Sequence, residues 1–415
     1  MLCGKLLVTR NSLSKKEGCT MASKSNRFAL YVLMFNMFIA MSGIGLIIPI
    51  MPDYLDTFGV AGQALGFLIA MFAFSQFLFS PLAGDLSDKF GRKYLIIVGL
   101  VIFGLSQLMF GMASDLWILY LARFFSGVGS AFIVPPMMAF VADITTEEER
   151  GKGMGLLGAS MSLGFMIGPA IGGFLAEVSL RFPFYVATTA SLVAAAISLF
   201  VLPQTAPPVV QAGKLAKREN LYKQMKRSTT TPYFVMLIVM FVFSFGLANF
   251  QATIALYVDK KYAFTPGEIA VLITAGGFVG VIVQTFVINK LFKKFGELKV
   301  ILVNLLVSAL AMISVLFVDG FWPILIVSSV FFTAASLLRP AVNTLISKQA
   351  GTEQGFAAGM NNAYMSLGNM VGPALAGILF DINMSFPYMA GTFILIICFF
   401  IASLTQRKQS SIVAQ

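Results

Sequence analysis

The sequence contains no histidine, and charged residues make up only 11% of its 415 positions. The absence of histidine excludes a histidine proton relay, a Ser–His hydrolytic pair and a His–Glu metal cluster. Soluble domains carry about 25% charged residues, so the low charge argues against an ordinary soluble domain. The hydrophobic share of 58% indicates instead a protein embedded in a membrane.

Cysteine is equally scarce. Cys3, Cys19 and Cys398 lie far apart and form neither a disulfide framework nor a metal-ligand spacing. The chain also lacks the Gly-x-x-x-x-Gly-Lys-Ser/Thr loop that holds nucleotide phosphates, and no paired acids stand inside a hydrophobic run. We therefore expect no enzyme activity, no metal and no cofactor.

The N-terminal stretch 1–27 is polar and basic. It lacks the apolar core of about 7–15 residues and the small-residue cleavage site of a signal peptide. We expect a disordered tail, and Met21, just ahead of the first hydrophobic run, is a second candidate start.

Twelve apolar runs are long enough to cross a hydrocarbon core of about 30 Å. They predict a cytoplasmic tail (1–27), a six-helix bundle (28–202), a cytoplasmic linker (203–231), a second six-helix bundle (232–405) and a cytoplasmic tail (406–415). The approximate runs are Phe28–Met51, Gln63–Ala83, Tyr94–Met112, Leu116–Ala142, Gly151–Ala176, Phe182–Leu202, Pro232–Val258, Glu268–Asn289, Leu298–Val318, Trp322–Ile346, Gly355–Phe380 and Phe386–Thr405.

The basic residues between the runs alternate from side to side. Both termini and the loops after even-numbered runs hold nearly all of the lysine and arginine, whereas the other loops hold only Arg181, Lys260 and Lys261. The positive-inside rule then places both termini in the cytoplasm of a multi-pass cell-membrane protein. The net charge of +11 reflects this orientation, and we expect no nucleic-acid partner. The basic linker is either a solvated tether or a segment that lies on anionic lipid headgroups.

The two halves of the chain are copies of one unit. Leu163–Gly173 recurs as Leu367–Gly377 with seven of eleven positions identical, at an offset of 204 residues. Flanking glycines recur at the same offset. A constant offset over some 35 residues indicates an internal repeat.

Small residues mark one face of the fifth run. Gly164, Gly168 and Gly172 lie at i, i+4 and i+8, so a neighbouring backbone can approach them closely. Pro169 removes one helical hydrogen bond and bends the helix there. With Gly173, the pattern Gly-x-x-x-Gly-Pro-x-x-Gly-Gly resembles the fifth-helix antiporter motif of the major facilitator superfamily. We expect this face to pack against the other half and to seal against ion leak; simple packing is the alternative.

The connection between runs 2 and 3 resembles the signature loop of the same superfamily. It contains Gly84, Asp85, Asp88, Gly91 and Arg92. We predict a tight turn permitted by the glycines, with Asp88 and Arg92 forming a charged cytoplasmic latch that closes when the cavity opens outward. The corresponding loop of the second half has lost both acids.

Two arginines stand inside hydrophobic runs, where a charge is costly and indicates function by default. Arg123 lies in a pattern that resembles the superfamily's Arg-x-x-Gln-Gly, although Ser126 replaces the glutamine; snorkelling to the outer interface is the alternative. Arg339 precedes a proline in run 10 and has no copy in the first half.

Proton coupling requires a group that titrates. Asp143, at the cytoplasmic end of run 4, and Asp53, at the outer end of run 1, are the carboxylate candidates, with Arg123 as an electrostatic modulator. The alternative role for Asp143 is to pair with Arg92 or to cap the following loop. The substrate-binding candidates are polar or aromatic residues at membrane depth: Phe38, Phe72, Gln76, Gln251, Arg339, Asn361, Tyr364 and Asn369.

The first run adds the pattern Gly43-x-Gly45-x-x-x-Pro49-x-x-Pro52. Together these motifs resemble the twelve-span drug:proton antiporter group, which includes the NorA- and Bmr-type multidrug exporters. The resemblance implies an all-α membrane protein with twelve transmembrane helices in two pseudo-symmetric six-helix bundles, the major facilitator fold. It also implies a monomer in the lipid bilayer that exports small amphipathic molecules in exchange for protons, by alternating access.

One departure from that group concerns its intramembrane acids. As the resemblance implies, its best-known members carry acids in runs 7 and 10, where this chain has Gln251 and Ser336. The cavity is then expected to prefer less cationic substrates. The alternatives are a narrow exporter of one metabolite or sugar, a proton-coupled importer, and a non-transporting sensor.

Overall fold

The computed structural model describes residues 26–204, 221–351 and 353–413. Nearly all of the predicted N-terminal tail, the middle of the predicted linker and the last two residues lie outside this part of the chain. Within it, twelve helices are long and apolar enough to cross a membrane, which confirms the predicted number. We number these spanning helices α1 to α12.

The first half begins with a helix that is interrupted by a 3₁₀ turn, Ile48–Ile50, with Pro49 at its centre. Proline supplies no backbone N–H, so the regular hydrogen-bond ladder breaks there. The helices of this half are Asn26–Asp56 (α1), Gly62–Phe90 (α2), Arg92–Gly111 (α3), Leu116–Ile144 (α4), Glu147–Ala176 (α5) and Phe182–Val201 (α6).

The second half follows a short helix, Leu221–Ser228, which we call the linker helix. Another short helix, Ile288–Phe295, precedes α9, and a 3₁₀ turn, Val315–Phe317, follows it. The spanning helices are Phe234–Tyr262 (α7), Pro266–Phe286 (α8), Glu297–Ser314 (α9), Phe321–Ala350 (α10), Gln354–Ile382 (α11) and Phe386–Val413 (α12).

The connection between α2 and α3 is much shorter than the sequence predicted. The motif residues from Gly84 to Phe90 continue helix α2, and only Gly91, with φ of 93°, separates it from α3. Glycine adopts positive φ without a Cβ clash, so one residue reverses the chain. Gly296, with φ of 76°, performs the same role before α9.

The glycine face of α5 packs within its own half. A Cβ on Gly164 would lie 2.7 Å from the Phe38 carbonyl oxygen, and one on Gly168 would lie 2.7 Å from that of Ser42. Both partners belong to α1. The second copy repeats this arrangement, since a Cβ on Gly372 would lie 2.6 Å from the Phe245 carbonyl oxygen of α7. The expectation that this face packs against the other half is therefore wrong here, because α1 and α7 occupy it first.

The halves meet at one end of the bundle, which we call the closed end. There α2 packs against α11, and α5 packs against α8. A Cβ on Gly62 would lie 2.9 Å from the Gly377 carbonyl oxygen, and one on Gly173 would lie 2.6 Å from that of Pro266. Of the predicted motif glycines, Gly173 is thus the one that contacts the second half.

The opposite end of the bundle, the open end, lacks such contacts. A Cβ added to Gly151, Gly155, Gly355 or Gly359 would meet no atom within 4 Å. These glycines lie on the first turns of α5 and α11, the same two helices that touch the opposite half at the closed end. A space between the halves therefore opens at this end.

A carboxylate from the second half caps a helix of the first. Ala61, at the N-terminus of α2, offers no side-chain acceptor. Asp381 at the end of α11 accepts hydrogen bonds from the backbone N–H groups of Gly62, at 2.9 Å, and Gln63, at 2.8 Å. A carboxylate at a helix N-terminus satisfies otherwise unpaired donors and interacts favourably with the helix dipole.

The equivalent helix start in the second half is capped differently. Helix α8 caps itself, because Thr265 and Glu268 form a capping box. Glu177, which matches Asp381 at the repeat offset, lies beside it: a Cβ on Gly267 would be 2.8 Å from Glu177 Oε1. Only one of the two matched carboxylates is thus a helix cap between the halves.

The packing at the closed end can be tested with a matched pair of glycine substitutions. In Gly66→Ala the new Cβ would overlap the Pro373 carbonyl oxygen, whereas Gly155→Ala enters open space. Overpacking typically costs about 1–3 kcal/mol, and both positions gain similarly in helix propensity. We expect Gly66→Ala alone to populate states that are open at this end, seen as longer spin-label distances between Thr57 and Asn383. Equal distances in both variants would contradict the conclusion that close glycine contacts hold the two halves together at the closed end.

The helix cap at the closed end makes a second prediction. Asp381→Asn keeps one acceptor oxygen but removes the charge that faces the N–H groups of Gly62 and Gln63, weakening the cap by about 0.3–1 kcal/mol, or up to about fivefold in the ratio of closed to open states. The control is Asp115→Asn, whose carboxylate accepts a hydrogen bond from the adjacent Ser114. The distance between spin labels at Thr57 and Asn383 should increase in Asp381→Asn only. An unchanged distance distribution would mean that the glycine contacts alone keep this end closed.

Candidate functional site

The charge inside the membrane spans is entirely positive. Every aspartate and glutamate on a described span lies within five residues of an end of that span. Arg123 is seven residues from the start of α4, and Arg339 is eleven from the end of α10. The membrane span within α12 is Phe386–Leu404. Arg123 and Arg339 are then the only charged residues of the described spans that lie deeper than five residues.

Arg339 faces the interior of the protein. Trp322, Ile326 and Val330 are exposed on the lipid side of α10. Arg339 follows Val330 by nine residues, which is two and a half helical turns and hence the opposite face. Its side chain is nevertheless exposed. An exposed residue on the inner face borders the space between the halves, and Arg339 forms no ion pair or hydrogen bond with the described chain.

A pair of amides extends this polar surface. Asn361 of α11 donates a hydrogen bond from Nδ2 to Oδ1 of Asn343, at 2.8 Å. Asn343 is exposed and follows Arg339 by four residues, so both lie on one face of α10. Asn361, which was predicted from the sequence, is therefore buried and orients the exposed side chain of Asn343. Asn343 itself was not predicted from the sequence.

The remaining polar candidates occupy different surroundings. Gln76 donates to Ser130 Oγ of α4 at 2.8 Å, so it joins two helices of the first half. Gln251 and Asn369 are partly exposed, and neither forms a hydrogen bond within the described chain. Asn369 lies on the face of α11 opposite the exposed Val371 and Leu375, which places it towards the interior.

The three aromatic candidates also lie in different surroundings. Phe38 of α1 and Phe72 of α2 are partly exposed, as residues beside a space would be. Tyr364 is buried on the same face of α11 as Val371, away from the interior, and its hydroxyl lies 3.0 Å from Ser228 Oγ of the linker helix. The structure therefore places Tyr364 beneath the linker helix and away from the interior space, and its role in substrate binding stays a prediction.

The linker helix is attached to the open end of α11. Arg227 forms an ion pair with Glu353, and its guanidinium carbon lies 4.6 Å from the centroid of the Phe356 ring. The described part of the predicted tether therefore packs on the bundle.

Arg123 is sealed within the first half. It is 5% exposed, so it does not reach the interface by snorkelling. Its guanidinium carbon lies 5.3 Å from the centroid of the Phe110 ring, and its Nε has no hydrogen-bond partner. An aromatic face stabilises a cation without neutralising it, so the charge remains.

The predicted latch residues form an ion-pair cluster in the first half. Arg92 is buried between two acids: it pairs with Asp88 one turn earlier, and its Nε lies 3.2 Å from Asp143 Oδ2 of α4. It also donates to Ser87 Oγ at 3.0 Å. The motif thus ties the open ends of α2, α3 and α4 together, and Asp143 has the arginine partner that the sequence offered as its alternative role. Gly84 and Asp85 precede Asp88 by about one turn on α2.

Asp53, the second proton-coupling candidate, lies at the closed end. It is partly buried near Asp56, and both are close enough to Asp259 of the second half for mutual repulsion. Here carboxylates of the two halves approach one another. Asp259 and Asp381 were missed from the sequence, although the match between Glu177 and Asp381 at the repeat offset was a usable signal for the latter.

Comparisons with known proteins agree with this architecture. The sequence model described as Major Facilitator Superfamily matches residues 33–248 and 236–412. Multidrug resistance protein 2 of Bacillus subtilis is 43% identical over 368 residues, which cover 88% of this chain and 92% of the relative. Quinolone resistance protein NorA of Staphylococcus aureus is 37% identical over 362 residues, covering 87% and 92% respectively.

Solved structures share the fold at low sequence identity. A bacterial homolog of the human lysosomal transporter Spinster, in an inward-facing and occupied conformation, has a TM-score of 0.73 at 15% identity and covers 92% of this chain and 97% of that one. The nucleoside transporter NupG has a TM-score of 0.74 at 12% identity and covers 91% and 98%. The described residues form twelve spanning helices in two repeated halves. Together with the match to the family model and these relatives, this shows that the chain belongs to the Major Facilitator Superfamily.

Proposed function

We propose that the protein is a proton-coupled multidrug efflux antiporter of the cell membrane. The observation that carries this proposal is the interior space between two repeated halves, which is closed at one end and open at the other and is lined at mid-depth by Arg339. Such a space at the interface of repeats is the usual substrate site of secondary transporters. The names of the relatives from Bacillus subtilis and Staphylococcus aureus support drugs as the substrates.

Charge supports an orientation with the open end in the cytoplasm. The basic clusters near Arg92, Arg150, Arg227 and Lys293 all lie at the open end, whereas the loops of the closed end hold only three basic residues. Cytoplasmic loops carry the excess of lysine and arginine. The structure then represents the state that collects substrate from the cytoplasm or the inner leaflet.

The cycle follows from the asymmetry of the two ends. Rocking of the halves about the interior site would break the contacts of Gly62 and Asp381 and bring the open ends together. The ion pairs of the Arg92 cluster all lie within one half, so its charges would meet the approaching second half together. In this proposal the substrate leaves on the outer side and a proton returns.

Proton entry supplies the driving force. One proton that moves through about 150 mV releases about 3.5 kcal/mol, at about 2.3 kcal/mol per 100 mV. At 1.4 kcal/mol per tenfold, that supports a substrate gradient of roughly 300-fold.

The test of this function is dye efflux from proteoliposomes with and without a proton ionophore. We expect several unrelated amphipathic dyes to be exported, and the ionophore to reduce accumulation by roughly the 300-fold limit or to abolish it. Export of a single compound would indicate a narrow metabolite exporter instead. Efflux that ignores the ionophore would remove the proton from the proposal, and transport of no solute would favour a sensor.

The position of Asp143 makes a separate prediction about coupling. In Asp143→Asn, Arg92 loses one of its two carboxylate partners, and truncating a partly buried pair typically costs about 1–3 kcal/mol. We expect substrate exchange and proton-driven accumulation to fall together by about tenfold, because the ion-pair cluster is a structural element of the cycle. Counterflow in proteoliposomes measures the first quantity, and uptake under an imposed pH gradient measures the second.

The control is Glu149→Gln, which removes an exposed carboxylate from the start of α5. It should leave both rates within about twofold of the unsubstituted protein, as exposed charges usually do. Retained exchange with lost accumulation in Asp143→Asn would instead make Asp143 the proton carrier.

A further inference from the structure

The interior space differs from a cation-binding site in its charge. A carboxylate is the strongest partner that a protein offers to a bound organic cation, yet the described spans hold no carboxylate deeper than five residues. What they hold at depth is the guanidinium of Arg339, exposed to the space, and the buried guanidinium of Arg123. The field at the centre is therefore positive.

Arg339 has donors to offer and no protein acceptor for them. A guanidinium has five N–H donors in a planar fork and cannot be deprotonated in proteins. The described chain provides Arg339 with no ion pair and no hydrogen bond. A charge at this depth is normally paired, so the missing partner is an anion that the protein does not supply.

The neighbouring amide extends the donor set. Asn343 lies one turn from Arg339 on the same face, and its Oδ1 already accepts the hydrogen bond from Asn361. Its own amide N–H groups have no acceptor in the described chain and remain for a ligand. Side chains at i and i+4 are about 5–6 Å apart at Cβ, a spacing over which two donors can reach one carboxylate or sulfonate group.

We propose that Arg339 and Asn343 form the polar subsite for a substrate carboxylate or sulfonate, so that the protein favours amphipathic organic anions and zwitterions over organic cations. This inference rests on the proposed transport function for its role, but binding at the subsite can be measured without transport. The partly exposed Phe38 and Phe72 provide apolar surface for the remainder of such a molecule.

The experiment compares rhodamine B, which has a free carboxylate, with its ethyl ester, in which that group is neutral. Fluorescence anisotropy with the purified full-length protein in detergent measures binding of each dye. We expect rhodamine B to bind about 10- to 100-fold more tightly than the ester, the change that one charge-assisted hydrogen bond typically makes.

Three variants assign that preference to the subsite. Arg339→Gln should reduce it to less than about threefold, and Arg339→Lys should retain part of it, because lysine keeps the charge but loses the planar fork. Lys348→Gln, which removes a positive charge from the end of the same helix, should leave the preference unchanged. If Arg339→Gln does not fold, the preference for rhodamine B over its ester is compared between the unsubstituted protein and Arg339→Lys. A preference that is absent from the unsubstituted protein, or unchanged in Arg339→Lys, would then overturn the subsite.

Efflux of the same dyes from proteoliposomes separates this inference from the proposed function. A binding preference for rhodamine B without export of either dye would support the subsite and overturn the efflux function. Export of both dyes with equal or stronger binding of the ester would overturn the subsite and leave efflux intact. A preference for rhodamine B that persists in Arg339→Gln would also overturn the proposed subsite.

Discussion

The close approach of backbones at glycines is the constraint on which this structure depends. Lipid provides no hydrophobic force between helices, so they associate where side chains are absent. The glycines of α5 and α11 hold α1 and α7 within each half, and others, such as Gly62 and Gly173, join the halves at the closed end. Since the same helices have open space around Gly155 and Gly359, the contacts between halves are confined to one end. The difference between the closed and the open end, which alternating access requires, therefore depends on the glycine surfaces of these helices.

Much of this arrangement was predictable, because its signals are local. Apolar runs, loop charge and the repeat around Gly168 predicted twelve helices in two halves, which the structure and the family confirm. Partners were harder to predict, because sequence spacing identifies the face of a helix but not its neighbour. The face of Gly168 was expected to pack against the other half for that reason, whereas α1 occupies it. Sequence spacing also gave no sign that the linker helix covers Tyr364. Asp381 was missed because a helix cap from another half has no local pattern.

The charged groups at the helix ends differ in role from the two arginines at membrane depth. At the helix ends, some acids are paired or act as caps: Arg92 lies between Asp88 and Asp143, and Asp381 satisfies the first N–H groups of α2. In the interior, Arg123 is covered by an aromatic ring and Arg339 has no partner in the described chain. A charge at membrane depth without a protein partner is costly, so it persists where a function requires it. In the proposed cycle, the ends therefore govern conformation and the interior governs recognition.

The lone guanidinium of Arg339 also bears on the electrical balance of the cycle. Exchange of one proton for a monovalent organic cation moves no net charge, so the membrane potential adds nothing to it. Exchange of one proton for a monovalent anion moves two charges in the same electrical sense. At about 2.3 kcal/mol per charge per 100 mV, a potential of about 150 mV then contributes about 7 kcal/mol, or roughly five orders of magnitude in concentration. The proposed exchange of a proton for an organic anion is therefore electrogenic, and its current would report each turnover directly.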